Sequence, residues 1–334
     1  LKAYIIKRLL MLPLVVLMVA TLVFFLTHAI PGSAIRILLG PHAGEAQIEK
    51  ATKEFGLDRP LVVQYAIYMG KLLRGDLGES IVSRRPVLED LLTFFPATIE
   101  LALVALVLIV VVGVLLGAVS AIHRSSLLDM LARGLAVGGV AMPQFWLGLM
   151  LILVFFYWSG WLPGGGRLEL TLEPPATITG MYILDSLLTG NWKALSDSLV
   201  HIILPAATLA LTNLSTTTAM VRSSMLQTLS QDYITMARAY GFSSARVHYF
   251  YALKNSMISA VSVLGLTTGY LLGGAVLVET VFDWPGIGLF AAQSIINVDY
   301  APIIAVAMLV STVYAIMNLA ADILYAVLDP RIRY

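Results

Sequence analysis

Apolar residues gather along this chain into six long stretches, at positions 9–30, 101–122, within 134–161, 199–221, 257–278 and 301–321. Each approaches or exceeds the roughly 20 residues that an α-helix needs to cross the hydrocarbon core of a bilayer. None alternates apolar with polar positions as a barrel strand would. Lipid offers no partner to a backbone N–H or C=O, so a span of this length must be helical. The pattern therefore predicts an all-α membrane protein with six transmembrane helices. The first stretch follows Lys2, Lys7 and Arg8. It exceeds the ~7–15-residue core of a signal peptide, and Thr27-His28-Ala29 is a poor cleavage site, so it reads as an uncleaved first helix.

Charge sets the direction of threading. Lys2, Lys7 and Arg8, then Arg124 and Arg133, then Arg222, Arg238, Arg246 and Lys254, then Arg331 and Arg333 all fall on one side of six alternating helices. The positive-inside rule makes that side cytoplasmic, with both termini there. The opposite side holds segment 31–96, with eight basic and eight acidic residues, and two shorter loops that add only Arg167 and Lys193. Long segments are exempt from the rule.

Two of these external segments carry local signals. Positions 45–55 have helical spacing. After a turn at Gly56-Leu57-Asp58 a second helix is expected, with Asp58 as N-cap and Pro60 in its first turn, ending near Gly75. This small helical extracytoplasmic segment covers a pathway, meets a partner, or packs on the outer helix ends. The loop 162–198 contains Pro163-Gly164-Gly165-Gly166. No Lys-Ser/Thr follows and no strand precedes, so it reads as a flexible turn and not a phosphate loop.

Composition narrows the chemistry. Hydrophobic residues make up 59% of the chain and charged residues 12%, with a mean hydropathy of +0.87. A soluble domain carries about 25% charged residues. There is no cysteine, which excludes disulfides and thiolate chemistry, and His28, His42, His123, His201 and His248 show no metal-ligand spacing. Neither a G-x-x-x-x-G-K-[ST] loop nor a G-x-S-x-G or HExxH motif occurs, so energy for uphill transport must come from an ion gradient or a separate ATPase chain. Ion-coupled transporters place ionisable groups in mid-membrane. Here Glu100, Asp129, Glu279 and Asp322 sit at or near helix ends, and Asn318 and Asp322 share a face of helix six.

Two predicted helices have a functional texture. Helix four carries Thr208, Thr212, Asn213, Ser215, Thr216, Thr217 and Thr218, which face a hydrated path or bond to neighbouring helices. Helix five places Gly265, Gly269 and Gly273 at four-residue spacing near Ser262, a packing face around a pathway or a surface that touches solute. Thr212, Asn213, Thr216, Ser262, Gly265 and Gly269 are the candidate pathway residues.

The most specific region is cytoplasmic, Arg222 to Lys254. Gln231-Asp232-Tyr233 opens a short helix that Gly241 ends with a left-handed cap. Ser243 and Ser244 then cap the next. The run Asp232-Tyr233…Ala237-Arg238-Ala239-Tyr240-Gly241…Ala252-Leu253-Lys254-Asn255 resembles the cytoplasmic signature of binding-protein-dependent ABC importer permeases, above all the dipeptide/oligopeptide/nickel branch. So do Gly56-Leu57-Asp58-Arg59-Pro60, Arg74-Gly75-Asp76-Leu77-Gly78, Pro96-Ala97-Thr98-Ile99-Glu100-Leu101, Met142-Pro143-Gln144-Phe145-Trp146, Glu279 through Gly288, and Asp329-Pro330-Arg331. Thr235, Met236 and Lys254 stand where the general signature has Glu, Ala and Pro, departures that the peptide branch shares.

The resemblance implies a permease subunit of an ATP-driven importer for di- or oligopeptides or similar solutes, glutathione, nickel chelates and sugars included. It implies an inner (plasma) membrane location, no catalytic or metal site, and no cofactor on this chain, with ATP and Mg on partners. Those partners are a second homologous permease, two ATP-binding cassette subunits and an extracytoplasmic solute-binding protein, with lipid around the spans and no nucleic acid. Tyr233, Ala237, Arg238, Ala239, Gly241 and Val247 are the expected ATPase-coupling residues. The implied division is 1–30 (first helix), 31–96 (extracytoplasmic segment), 97–328 (permease core with coupling loop 222–256) and 329–334 (tail). A secondary transporter or channel is the alternative.

Overall fold

The computed structural model describes residues 2–29, 35, 39, 43–54 and 56–328. Phe55 and the tail 329–334 lie outside the described residues. Among those described the regular structure is all helical, with one isolated bridge between Glu79 and Pro86. The helices are α1 (Lys2–Ala29), α2 (Glu45–Glu54), α3 (Leu61–Leu72), α4 (Val87–Ile122), α5 (Leu127–Ala141), α6 (Gln144–Leu151), α7 (Tyr182–Thr189), α8 (Trp192–His201), α9 (Ile203–Leu229), α10 (Asp232–Ala239), α11 (Lys254–Gly274), α12 (Val276–Val281), α13 (Ile287–Ile296) and α14 (Tyr300–Leu328). Wider π-type turns extend α6 over Ile152–Trp158 and lead into α11 over Arg246–Leu253.

Four helical segments among the described residues are long and apolar enough to cross a membrane: Leu10–His28, Val87–Ile122, Trp192–Leu229 and Tyr300–Ile323. A fifth arises if α5 and α6 form one broken span, bent by 110°. This bend revises the third predicted helix. Pro143 has no N–H to continue the ladder, and its ring forces Met142 into an extended conformation (φ −103°, ψ 136°). The helix also starts earlier than expected, at Leu127, so Arg133 lies inside it. Similarly α4 starts at Val87, with Pro96 inside it, and α9 runs on to Leu229, beyond position 221.

Small residues set the packing. α9 lies along α4, where Thr217 and Val221 approach to 3.0 and 2.7 Å of the points that side chains on Gly113 and Gly117 would occupy. Gly139 brings α5 against the carbonyl of Leu211 on α9. α11 meets α14 through Gly265, Gly269 and Gly273, which face Ala321, Tyr314 and Val310. With no hydrophobic drive between helices in lipid, such close backbone approach is what makes dispersion contacts effective. α1 closes the edge against α14 through Ala20, Phe24, Ile304 and Met308, and Arg8 pairs with Asp322 at 3.3 Å.

The segments read as external are more ordered than the sequence suggests. Pro60 occupies the N-cap of α3, with no side-chain cap, so Asp58 does not play that role. The Pro163–Gly166 run is not a flexible turn: Gly166 N–H donates to Phe282 O at 2.8 Å, and Gly164 and Gly165 are pressed against Phe156 and the Phe282 carbonyl.

Candidate functional site

The region singled out in the sequence folds as a compact module at one end of α4 and α9. α10 is only eight residues long, so its stability must come from docking and not from helix propensity. Ile234 and Ala237 supply the docked side and meet Met225 of α9, Ala118 and Ala121 of α4, and Val247 and Ala252 of the following segment. The C-terminus of α10 is closed by a Schellman turn: Phe242 N–H donates to Ala237 O (3.2 Å) and Gly241 N–H to Arg238 O (2.9 Å), with Gly241 at φ +77°. Ser243 then caps the next segment, its Oγ accepting from Arg246 N–H at 3.4 Å. The left-handed glycine and the serine cap fall where the sequence places them.

The six expected coupling residues divide into two sets. Ala237 and Val247 are buried against the spans, whereas Tyr233, Arg238, Ala239 and Gly241 are exposed. The exposed set continues through Met236, Tyr249, Phe250 and Tyr240, the last 75% exposed. Tyr233 is held in place by Asn255, whose Nδ2 donates to its hydroxyl at 2.9 Å. Arg246 lies over Phe242 at 4.6 Å and Phe242 stacks on Tyr251 at 5.7 Å. One side of the module is therefore packed, and the other presents aromatic and cationic groups with no cover.

A buried ionic tie beneath the module was not legible in the sequence. Asp129, at the first turn of α5, is 1% exposed and takes a two-pronged interaction from Arg222 of α9 (Nε–Oδ1 3.0 Å, Nη2–Oδ2 3.1 Å). Ser120 of α4 donates to the same carboxylate, as does Ser125 N–H at 3.0 Å, and Arg133 pairs with it at 3.2 Å. The tie joins α4, α5 and α9 next to the module. Its partners lie 93 positions apart, and nothing in local pattern links them.

The hydroxyls of α9 also divide. Thr208, Thr217 and Thr218 are buried. Thr212 and Asn213 are half-buried and Thr216 is exposed. Thr212 Oγ1 donates back to Leu209 O (3.0 Å) and accepts from Gln144 Nε2 (3.3 Å), while Asn213 Nδ2 donates to Leu209 O (2.8 Å). Gln144 begins α6 at the bend, so a polar stripe on α9 meets the break in the third span. Gly265 and Gly269 lie against α14, away from that stripe. The side chain of Ser262 lies outside the described set.

At the opposite end, polar residues form a closed layer. Arg167 pairs with Glu100 at 2.6 Å, both nearly buried, and lies 3.7 Å over the Tyr182 ring. Glu279 accepts from Thr98 Oγ1 (2.7 Å), Gly288 N–H (2.6 Å) and Leu289 N–H (3.1 Å), capping α13. Trp284 Nε1 donates to Ala97 O at 2.9 Å. Asp185 is buried, which alone would push its carboxyl up. Donation from Thr179 Oγ1 and from the backbone N–H groups of Thr179, Ile178 and Gly180 outweighs this and lowers it. Among the described residues no group of three His, Cys, Asp or Glu is placed to hold a metal ion.

Long apolar helices and a half-uncovered module at one end define a multi-pass helical membrane protein. Comparison with known proteins makes this specific. Residues 113–334 match the model of the binding-protein-dependent transport system inner membrane component, and residues 1–102 match that of the N-terminal part of such components. The chain is 47% identical over 319 residues to a probable D,D-dipeptide transport system permease of Escherichia coli, covering 96% of this chain and 94% of that one. It is 39% identical over 332 residues to a dipeptide transport system permease of Alkalihalophilus pseudofirmus, covering 99% of each. It is 38% identical over 331 residues to a glutathione transport system permease of Salmonella typhimurium, again covering 99% of each. The chain belongs to the family of binding-protein-dependent transport system inner membrane components, and it is a multi-pass protein of the inner membrane.

Proposed function

We propose that this chain is the permease subunit of an ATP-driven importer that brings di- or oligopeptides into the cytoplasm, working with a second homologous permease, two ATP-binding cassette subunits and an extracytoplasmic binding protein. The observation that carries the reading is the module at Asp232–Ala239 and beyond, docked by Ile234, Ala237 and Val247 and uncovered at Tyr233, Arg238, Tyr240 and Phe250. A partner that closes on the uncovered side moves α4 and α9 directly, because the docked side is part of their packing. Relatives named for dipeptides, D,D-dipeptides and glutathione support a solute with peptide character.

The topology belongs to the same reading. α11 is the remaining span, giving six, with both termini and the module cytoplasmic, in accord with the basic residues around it. The stripe of Thr212, Asn213 and Thr216 beside Gln144 then faces the second permease across the solute path, because lipid is a poor neighbour for such groups. ATP and Mg act on the partner subunits and reach this chain only as motion of the module. The test is reconstitution. The chain alone should hydrolyse no ATP and concentrate no solute, and adding the ATPase and binding-protein partners should restore peptide uptake. Uphill uptake by the lone chain, driven by a proton or sodium gradient, overturns the proposal.

A further inference from the structure

The end of α1 near His28, the α2–α3 hairpin and the start of α14 enclose a cavity of about 430 Å³. Its walls are of two kinds. One part of the lining is apolar and aromatic, made by Phe24 and Ile304 of the long helices and Ile67 and Tyr68 of α3. The other part carries Lys53, Arg59 and Lys71 with one acid, Glu79. Lys53 is held by Glu49 at 2.6 Å, while Arg59 and Lys71 make no ion pair among the described residues. Polar groups line the zone between: His28, Gln64 and Tyr300.

Two observations place this cavity at the level of lipid headgroups. His28 stacks between Phe24 (4.1 Å) and Tyr300 (4.5 Å), and Tyr65 stacks on Phe25 (5.3 Å). Amphipathic aromatic rings collect at the membrane–water interface. In addition α3 has no buried residue, and Val62 within it and Leu73 just past its end are 73% and 74% exposed. A short helix outside the spans, apolar on its uncovered side and flanked by Arg59, Lys71 and Arg74, has the character of one that lies in the interface.

We propose that this cavity holds an anionic phospholipid, with its phosphodiester between Arg59 and Lys71 and its acyl chains leaving along the apolar wall. Two cations without an ion pair among the described residues, Arg59 and Lys71, against the one acid Glu79 favour an anionic headgroup over a zwitterionic one. The apolar wall selects a lipid over free phosphate. Assignment to the outer leaflet rests on the topology proposed above; the existence of the site does not.

Native mass spectrometry on the full chain, delipidated in mild detergent and titrated with phosphatidylglycerol or phosphatidylcholine, tests this. The expected result is a phosphatidylglycerol adduct that survives conditions stripping phosphatidylcholine. The Arg59→Ala/Lys71→Ala variant should weaken it about ten-fold or more, and the control Lys50→Ala/Lys193→Ala should not. Equal retention of the two lipids, or equal retention by variant and control, overturns the proposal. So does displacement of the lipid by inorganic phosphate, which would mark a free-anion site. Loss of binding-protein-dependent uptake with lipid retention unchanged would mark a protein-docking face and likewise overturn it. Because retention is read in detergent, an inverted topology leaves this result untouched and shows only in cysteine labelling.

Discussion

The two ends of the molecule treat polar and apolar groups in opposite ways. At one end Glu100, Arg167, Asp185, Glu279 and Asp299 are all nearly buried, each with partners from this same chain. At the other, Tyr240, Tyr249 and Phe250 stand uncovered on a module whose remaining side is tightly docked. A buried charge demands a partner fixed in place, so the first end is completed by the chain itself. Exposed aromatic rings gain by being covered, so the second end suits the contact surface proposed above. One end is closed by its own side chains, and the other keeps aromatic surface uncovered.

The largest test concerns which end faces which compartment, and its outcome is all or none. The chain has no cysteine, so single probes report without background. Thr171→Cys should react with an impermeant thiol reagent from outside, and Ser244→Cys only after the membrane is opened; the reverse would invert the comparison. Next in size is Glu100→Ala. It strands Arg167 in a site where both side chains are at most 6% exposed, and removing one partner of a buried pair costs about 3–5 kcal/mol. A thermal melt of the purified chain should drop by many degrees. An unchanged melt would mean the closed layer is not what stabilises that end.

Gly241→Val comes third. Its φ of +77° is unfavourable for a branched residue, at about 1–2 kcal/mol, yet nothing lies within 4 Å of the new Cβ. Membrane abundance should stay near normal while co-purified ATPase and peptide uptake fall. Full uptake at matched abundance would show that the turn merely connects. Tyr240→Ala should sharpen the point, changing stability by less than about 0.5 kcal/mol while also lowering ATPase recovery. The smallest effect is a pH dependence. The Asp185 carboxyl is lowered in the folded chain, so its contribution is fully present above the unfolded value of about 3.9 and fades as pH falls through the lower folded value. Amide exchange at Ile178–Gly180 should be flat with pH near neutrality, after correction for intrinsic rates, and should accelerate only in acid. Asp185→Asn should remove that acid dependence.

Much of the architecture was legible because it follows from local rules. The apolar runs mark α1, α4, α9 and α14, and the Gly241 turn and Ser243 cap come directly from backbone preference. The failures have a common cause. Met142-Pro143 lies inside an uncharged run, and hydropathy averages over a bend that one missing N–H creates. Gly113 and Gly117 carry the α4–α9 contact but are hidden in a stretch that already reads as a span, whereas Gly265, Gly269 and Gly273 stand out by repetition. Asp129 with Arg222, and Glu100 with Arg167, are pairings across long sequence separations that only the folded chain brings together. Asp58 was overvalued as a cap because its type fits, although Pro60 takes the position.

The uninterrupted length of α9 has a mechanical meaning. The Asp129 tie grips it at Arg222, seven positions from Leu229 at one end and nineteen from Ile203 at the other. At 1.5 Å per residue these are arms of about 10 and 28 Å. The longer arm is packed on α4 and α5 through Gly113, Gly117 and Gly139, so it shifts only with those helices. Any displacement received at the short arm therefore reaches the far side as a movement of α4, α5 and α9 together, not of α9 alone.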